Sequence, residues 1–374
     1  MLLSAMVRPN SRSFALSILA LTLAASTGFG QPSRAVAPIL RVAADGTADY
    51  TTVQAAVDHV PATGGAVVLI APGAYRGQVI IRQSGVTLKG TGPDPSKIVI
   101  VDDTSQGTRG NKPSYATVHV LGDDFHAEDI TFENDFNRTH EQVSQGSQAQ
   151  ALNLEGDRNI LANVHILGNQ DTLYIASRQC GRRPPSASAT AAPSASPSPA
   201  PCAPVANRSY FKDCLVAGNV DFIYGDGNAV FDHCEIHSTL HDAGGYLTAQ
   251  SKSSPGQNST FVFNRCRLTA EPGEQHVFLG RPWRPYASVV YMNCEMGAHI
   301  EPAGWRQWHP PDTSLDTAYY AEYKSTGPGA NPAAREPKSH QLTKAEAAQF
   351  ETARFLAGND HWNPEKQLKG RQLK

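Results

Sequence analysis

Short runs of alternating hydrophobic and polar residues recur along the chain. Four of them share one pattern: an apolar residue, an aromatic residue, two mostly polar residues, a cysteine, one further residue and an apolar residue. These segments are YFKDCLV (210–216), VFDHCEI (230–236), VFNRCRL (262–268) and VYMNCEM (290–296). Two earlier segments follow part of the pattern, with Ile130 and Val164 at the cysteine position. Recurrence of a short strand every roughly 20 to 50 residues is typical of a stacked solenoid.

The repeat predicts an all-β fold, a right-handed parallel β-helix with few helices between its strands. One position in each coil then points inward and stacks on its equivalents in the neighbouring coils. We expect this internal ladder to contain Ile130, Val164, Cys214, Cys234, Cys266 and Cys294. A buried cysteine acts there as a small hydrophobic residue, although disulfide and metal-binding roles stay open as alternatives. Zinc is disfavoured because none of the four cysteines sits in a Cys-x-x-Cys pair.

The ends of such a solenoid need a cover. Residues 51–61 read as an amphipathic helix that a proline stops. Near the other end, Thr343 and Glu346 form a capping box before a helical segment that Gly358 ends. We expect these short capping helices to close one domain that spans residues 31–374.

Two segments are expected to lie outside the folded core. Residues 1–30 read as a signal peptide, because arginines precede the apolar run 14–25 and small residues follow it. An uncleaved membrane anchor is the disfavoured alternative, since the run is short for a bilayer span. Residues 181–201 are rich in Pro, Ala and Ser, which predicts a disordered surface insertion. Export permits a disulfide between Cys180 and Cys202 at its base, with two free thiols as the alternative.

Composition excludes several classes of function. Of the 374 residues, 31 are Gly and 26 are Pro, and only 18% are charged, which favours a fold with many turns over a helical bundle. The net charge of −2 leaves no basic footprint for nucleic acid. We therefore expect no nucleic-acid partner. From the signal-peptide pattern we expect a secreted or periplasmic protein without stable membrane insertion, and we expect a monomer.

A second repeat carries the candidate chemistry. The segments GNQDTLY (168–174) and GNVDFIY (218–224) place Asp171 and Asp221 at the same register of neighbouring coils, whose strands lie about 4.8 Å apart. Two carboxylates at such a short distance resist double ionisation. The pKa of one therefore rises and that of the other falls, as acid–base chemistry requires. The alternative is a pair of turn residues whose side chains satisfy backbone groups.

Side chains of nearby motifs complete this candidate site. Gln148 is expected on the preceding coil and Gln170 lies beside Asp171, and neutral amides there can stabilise an oxyanion. Arg281 can keep one aspartate ionised, and Trp283 can offer its face to a sugar ring. Each residue alone has an ordinary structural explanation, but together they supply the groups that ester hydrolysis needs.

The sequence resembles the pectin methylesterase (pectinesterase) family. The matching motifs occur in the family's order from about residue 40 onward: QAQAL (148–152), GNQDTLY (168–174), DFIYG (221–225), YLTAQ (246–250) and LGRPW (279–283). The resemblance implies a right-handed parallel β-helix that hydrolyses methyl-esterified galacturonan (pectin) to pectate and methanol, without a metal or other cofactor.

By position, the resemblance also implies residue roles. Asp221 matches the nucleophile that forms an acyl-enzyme, Asp171 the general acid and then base, and Arg281 the partner of Asp221. Gln148 and Gln170 match the oxyanion-stabilising amides.

The motifs depart from the family at three positions, two of which bear on the substrate contacts. Trp283, Arg281 and Tyr224 are expected to contact substrate, but Tyr224 replaces the family's Phe, Gln150 replaces a Val and Gly77 replaces a Glu. Two other functions stay open: a related ester or thioester hydrolase on the same scaffold, and a non-catalytic polysaccharide-binding β-helix. An elimination reaction would require a calcium-binding cluster of carboxylates, which the sequence does not contain beside DFIYG.

Overall fold

The chain winds into successive coils of short parallel strands. The structure is a computed structural model, and it describes residues 37–62, 64–140, 146–178, 207–309 and 311–372. The predicted signal peptide, the insertion at 181–201 and the Cys180–Cys202 disulfide lie outside the described residues. Within those residues, no helix is long and apolar enough to cross a membrane.

The strands of the described residues are, in chain order, β1 (Ile39–Val42), β2 (Ala66–Ile70), β3 (Gly73–Arg76), β4 (Val79–Ile81), β5 (Val86–Gly90), β6 (Ile98–Asp102), β7 (Ala116–Val120), β8 (His126–Asn134), β9 (Gln150–Leu154), β10 (Asn159–Leu167), β11 (Leu173–Ile175), β12 (Arg208–Lys212), β13 (Leu215–Gly218), β14 (Val220–Gly225), β15 (Asn228–Asp232), β16 (Glu235–Ser238), β17 (Tyr246–Gln250), β18 (Thr260–Asn264), β19 (Arg267–Ala270), β20 (Ser288–Met292), β21 (Glu295–Met296), β22 (Tyr319–Tyr323) and β23 (His340–Gln341).

Helices are short. The α-helices are α1 (Val53–Asp58), α2 (Phe136–Thr139), α3 (Lys344–Ala347), α4 (Thr352–Phe355) and α5 (Pro364–Gln372). Single 3₁₀ turns occur at Pro95–Lys97, Ser314–Asp316, Pro332–Ala334 and Ala348–Phe350.

The strands build three faces, and every pairing between described strands is parallel. The first face runs through β1, β2, β5, β8, β10, β12, β15, β18, β20, β22 and β23. The second includes β3, β6, β13, β16, β19 and β21, together with the second halves of the long strands β8 and β10. The third consists of β4, β7, β9, β11, β14 and β17. The predicted right-handed parallel β-helix is confirmed.

The predicted internal ladder is also confirmed. The four cysteines of the repeat are free and buried, and strand register places them one above another. Val164 and Ile130 continue the row on the preceding coils. Each thiol donates to a carbonyl of the coil before it, as Cys234 does to the carbonyl of Phe211 at 3.5 Å. The cysteines therefore pack as small hydrophobic residues with a weak hydrogen bond.

The residue before each ladder position adopts a left-handed backbone that the sequence pattern did not reveal. The φ angles lie between 51° and 58° at Asp129, Asn163, Asp213, His233, Arg265 and Asn293. Asn, Asp and His are enriched in this conformation. The chain turns at these residues from the first face to the second, which explains why a polar residue precedes each inward-pointing side chain.

The two apolar residues that open each repeat point to opposite sides of the first face. The second residue of each repeat is aromatic and points inward. These rings stack at centroid separations of 4.4, 4.6 and 4.5 Å along Phe211, Phe231, Phe263 and Tyr291. The first residue of each repeat points outward and is nevertheless buried: Tyr210, Val230, Val262 and Val290. The C-terminal segment covers this outer row with Ala347, Leu356, Trp362 and Leu368.

The N-terminal helix lies as predicted, whereas the C-terminal segment differs. Helix α1 follows Thr52, whose side chain accepts a hydrogen bond from a backbone N–H, and the capping box of Thr343 and Glu346 is present. The predicted single helix after it is broken, because Glu351 is extended with ψ 132°. The segment also packs along the outer face of the first sheet instead of closing its end, since the outward apolar row gains burial there.

Candidate active site

Two aspartates meet on the third face of the β-helix. Strand β11 pairs with β14 so that Leu173 is opposite Ile223, which places Asp171 and Asp221 at equivalent positions of adjacent coils. Both have a left-handed backbone, with φ of 63° and 52°. The pairing of β14 with β17 shifts register beyond Val220, and such irregularities redirect side chains next to functional sites.

The repeated Gly-Asn pair holds these two turns together. A Cβ atom at Gly218 would lie 2.6 Å from the carbonyl oxygen of Asn169, so only glycine permits this approach of the two coils. The backbone N–H of Asn219 donates to that same carbonyl at 3.1 Å, and the N–H of Asp171 donates to Val220 at 3.1 Å. Close backbone contact therefore brings the two aspartates together.

Arg281 binds Asp221 through one edge of its guanidinium, with two hydrogen bonds. Nε donates to Oδ1 at 2.9 Å and Nη2 donates to Oδ2 at 2.7 Å. The ion pair is largely buried, with 15% of the arginine side chain and 8% of the aspartate side chain exposed. Two parallel charge-assisted hydrogen bonds of this kind are strong and fix orientation.

Two aromatic rings pack against the guanidinium of Arg281. Its central carbon lies 3.9 Å from the ring centroid of Tyr246 and 4.1 Å from that of Trp308. Cation–π attraction strengthens when the cation is desolvated. Sequence reasoning missed both residues: Tyr246 belongs to a quoted motif but had no assigned role, and no pattern distinguished Trp308.

The segment that carries Arg281 extends the third face beyond β17. The N–H of Arg281 donates to Thr248 at 3.0 Å, and the N–H of Trp283 donates to Gln250 at 3.1 Å. Gly280 fits closely here, since a Cβ atom would lie 2.1 Å from the hydroxyl oxygen of Thr248. The arginine thus sits two coils after Asp221 and three coils after Asp171, and its side chain reaches back past β17 to Asp221.

The two carboxyl groups have different pKa values for a structural reason. Burial, and next the negative charge of Asp221, raise the pKa of Asp171 to about 8, against smaller lowering effects of Tyr224 and Arg281. Burial also raises the pKa of Asp221, while the hydrogen bonds and charge of Arg281 act in the opposite direction. Arg281 therefore lowers the pKa of Asp221 as predicted, but the opposite effect of burial is larger. Asp221 still ionises first, because the two hydrogen bonds of the arginine go to Asp221 and not to Asp171.

The two predicted amide donors lie on neighbouring coils, and Gln170 directly precedes Asp171 in the chain. Ser147 donates to Oε1 of Gln170 at 3.0 Å, which leaves the NH₂ group of that amide available as a donor. The N–H of Ala149, next to Gln148, donates to the backbone carbonyl of Gln170 at 3.2 Å. Gln148 and Gln170 thus occupy adjacent coils at the end where Asp171 lies.

The predicted substrate contacts divide into two groups. Trp283 lines a cavity of about 220 Å³ together with Tyr174, Ser251 and Arg284, so it is available to a ligand. Tyr224 is only 5% exposed, and its hydroxyl accepts a hydrogen bond from Gln150. Neighbouring side chains cover Tyr224, so its position does not favour the expected contact with substrate.

A metal site is not apparent in the part of the chain that the structure describes. No group of three or more His, Cys, Asp or Glu side chains is arranged there to hold an ion.

Comparisons with known proteins agree with this geometry. The family model Pectinesterase matches residues 39–183 and 203–359. Pectinesterase 31 of Arabidopsis thaliana is 32% identical over 326 residues, which cover 83% of this chain and 90% of that protein; the chain spans about half the length of some other curated relatives. Pectin methylesterase from carrot has a TM-score of 0.73 and 29% identity, over 91% of this chain and 98% of that one. A pectin methylesterase in complex with hexasaccharide VII has a TM-score of 0.68 and 27% identity, over 88% and 99% of the two chains. This chain belongs to the pectinesterase family.

Proposed function

We propose that this protein hydrolyses the methyl esters of pectin, releasing methanol and leaving pectate. The observation that carries the proposal is a buried pair of aspartates, Asp171 and Asp221, of which Asp221 binds Arg281 with two hydrogen bonds. The similar structure that holds a hexasaccharide supports a polysaccharide substrate. Trp283 lies edge-on to Tyr224 at a centroid separation of 5.9 Å and lines a cavity, so it is positioned to stack on a sugar ring.

In the first half of the proposed reaction, ionised Asp221 attacks the ester carbonyl carbon. The carbonyl oxygen gains negative charge, which the amide NH₂ groups of Gln148 and Gln170 stabilise. The C–O bond to the methoxy group then breaks, its electron pair leaves with the methoxy oxygen, and Asp171 donates a proton to that oxygen. Methanol departs, and Asp221 is left as an acyl-enzyme.

In the second half, Asp171 acts as a base. The acylated Asp221 has no charge, so Asp171 keeps its negative charge without like-charge repulsion from its partner. It accepts a proton from water as the water oxygen attacks the acyl carbon. The galacturonate carboxyl group is released, and ionised Asp221 and protonated Asp171 are restored.

Methanol release from highly methylated pectin tests this proposal. Asp221→Asn should abolish turnover because the attacking oxygen is lost, and Asp171→Asn should abolish it because methoxide has no proton donor. A variant of either residue that keeps wild-type methanol release would contradict the assigned roles. A long-chain thioester serves as comparison substrate, and a higher kcat/KM for the thioester would place the substrate outside pectin.

We also propose that the enzyme is exported and monomeric. A polymeric substrate does not cross membranes, and the sequence of residues 1–30 fits a signal peptide. Cell fractionation should place the activity outside the cytoplasm, and size-exclusion chromatography with light scattering should give one chain per particle. Activity confined to the cytoplasm, or a dimeric mass, would contradict these proposals.

A further inference from the structure

A second cavity lies on the second face of the β-helix. Residues of β19 and β21 line it, together with residues of the turns that follow these strands. Its volume is about 440 Å³, within the range of about 300–1,000 Å³ that is usual for small-molecule sites. It shares no lining residue with the cavity beside Trp283, so it is a different candidate site.

Glu274 brings a buried carboxylate to this cavity. The residue is 5% exposed, and its Oε2 accepts a hydrogen bond from the backbone N–H of His241 at 2.6 Å. Its Oε1 has no hydrogen-bond partner among the described residues. The arginine that lines the cavity, Arg267, is bound to Glu235 at 2.5 Å instead. Because a buried charge is costly unless it is paired or hydrogen-bonded, the free oxygen of Glu274 points to a ligand that donates hydrogen bonds.

His299 supplies a second unsatisfied polar atom to the same cavity. The residue is 8% exposed, and its Nε2 has no hydrogen-bond partner within the part of the chain that the structure describes. Burial, and next the nearby His237, lower the pKa of His299 to about 4, so the imidazole is neutral near pH 7 and one ring nitrogen can accept a hydrogen bond. Gly297 allows the ring to pack against the backbone, since a Cβ atom there would lie 2.7 Å from Nδ1.

The charges around the cavity favour a cationic ligand. Glu274 and Glu295 both line it, whereas the charge of Arg267 is already balanced by Glu235. The lining therefore carries an excess of negative charge. Electrostatic complementarity attracts cations to such a cavity and disfavours carboxylates, including those of pectate.

The remaining lining favours an organic cation over a metal ion. Ala270, Met296 and Pro328 contribute apolar surface to the cavity, and an alkyl chain gains free energy when it is buried against such surface. In the described ranges, no group of three or more His, Cys, Asp or Glu side chains is arranged to hold a metal ion. The two unsatisfied acceptors thus stand beside an apolar wall.

We propose that this cavity binds a primary alkylammonium ion, whose ammonium group donates hydrogen bonds to Oε1 of Glu274 and Nε2 of His299 while its alkyl chain lies against the apolar lining. An ammonium group has three N–H donors, so it can satisfy both acceptors, and its charge compensates the buried carboxylate. A hydroxyl group has a single donor and no charge, so it can satisfy only one of them. The inference goes beyond the proposed function, because binding involves neither Asp171 nor Asp221.

The first test compares three ligands on the wild-type protein at pH 7 and constant ionic strength. NMR titrations follow the imidazole resonances of His299, assigned with His299→Gln. The probes are n-butylammonium chloride, butan-1-ol, which has the same chain without the charge, and tetramethylammonium chloride, which has the charge without N–H donors. We expect saturable shifts with n-butylammonium and at least tenfold weaker binding of the other two, the size of one hydrogen bond to a charged group.

Two outcomes of this titration would overturn the inference. One is the absence of a saturable response to n-butylammonium. The other is equal affinity for n-butylammonium and either comparison ligand, because the charge and the N–H donors would then not both be needed.

The second test removes the charge of Glu274 alone. Glu274→Gln keeps an acceptor for the N–H of His241 and loses the carboxylate. Glu271→Gln is the matched control, because Glu271 lies on the same turn and accepts from the N–H of Leu240 at 2.9 Å but does not line the cavity. We expect the Kd of n-butylammonium to rise at least tenfold in Glu274→Gln and to stay unchanged in Glu271→Gln. Equal affinities in the two variants would contradict the proposal. If Glu274→Gln lowers the unfolding temperature, the comparison of ligands on the wild type decides the same point.

A further variant separates this site from the active site. Asp221→Asn should bind n-butylammonium as the wild type does, and loss of binding there would place the ligand in the active site and overturn the inference. Absence of methanol release from the wild type would overturn the proposed function, while the titrations would still decide whether the second cavity binds an alkylammonium ion.

Discussion

Replacing Arg281 by methionine removes the group that favours ionised Asp221. The guanidinium donates hydrogen bonds of 2.9 and 2.7 Å to this carboxylate in a largely buried pair. Each hydrogen bond to a charged group contributes about 1.5–3 kcal/mol, so the two together contribute about 3–6 kcal/mol. Because about 1.4 kcal/mol corresponds to a tenfold change, the lower value predicts a loss of about 100-fold in kcat/KM near neutral pH.

The shape of the pH profile distinguishes this cause from general damage. In the wild type, the rising limb reports ionisation of Asp221, and the falling limb reports loss of the proton from Asp171, whose pKa is about 8. In Arg281→Met, burial still raises the pKa of Asp221 and the opposing hydrogen bonds are gone. The rising limb therefore moves up towards the falling limb. Once the two limbs meet, ionised Asp221 with protonated Asp171 is a minor state at every pH, and alkaline conditions do not restore the rate.

The assay follows methanol release between pH 4 and pH 10 for the wild type, Arg281→Met and Arg281→Lys. Lysine keeps the charge but not the planar fork, so we expect an intermediate shift. Arg265→Met is the control, because Arg265 pairs with Asp232 at 2.6 Å on the first sheet. Superimposable rising limbs in wild type and Arg281→Met, with residual activity high enough to measure, would refute the view that Arg281 sets the charge of Asp221.

Three further predictions concern the fold. Deleting residues 181–201 should leave the unfolding temperature unchanged, because their composition supplies little core; loss of soluble protein would contradict this. Trp362→Ala should cost about 3–5 kcal/mol in chemical denaturation, because Trp362 helps to cover the outer row of the first sheet; a cost below about 1 kcal/mol would mean that this cover contributes little. The pKa of Asp171 is about 8 in the folded protein against an ordinary 3.8, so its protonation stabilises the fold at low pH and that stability is lost as pH rises from about 4 to about 8. Asp171→Asn should accordingly have the higher unfolding temperature at pH 9, and equal temperatures there would contradict the raised pKa.

The coils were predictable because each repeats the same local arrangement. Cys214, Cys234 and their equivalents recur at the same inward position. This recurrence depends only on contacts between one coil and its neighbours, so it can be read from the sequence. The register of Asp171 with Asp221 follows from the same periodicity. Sequence spacing is sufficient wherever residues at equivalent positions stack.

Contacts between different parts of the coils were not predictable in this way. Trp308 reaches Arg281 from outside the repeat, and no spacing links the two. Gln150 and Tyr224 read as two unrelated departures until the third face brings them together. The path of the C-terminal segment depends on the outward apolar row, which the pattern contained, but the pattern did not say which segment would cover it.

The order in which the coils stack explains how a motif that occurs twice can supply both a nucleophile and an acid. Asp171 and Asp221 have the same backbone conformation and the same register, so the motif alone gives them equal properties. Their outer neighbours differ. On the side of Asp221 lie β17 and then the segment with Arg281, whose side chain reaches back to Asp221, whereas on the other side of Asp171 lies β9 with the neutral side chain of Gln150. The arginine binds Asp221 and not Asp171, so burial and the charge of Asp221 raise the pKa of Asp171 against weaker opposition. The difference between nucleophile and acid in this proposal therefore originates in the coils on either side of the repeat, and exchanging those neighbours, not the aspartates, is what would exchange the two roles.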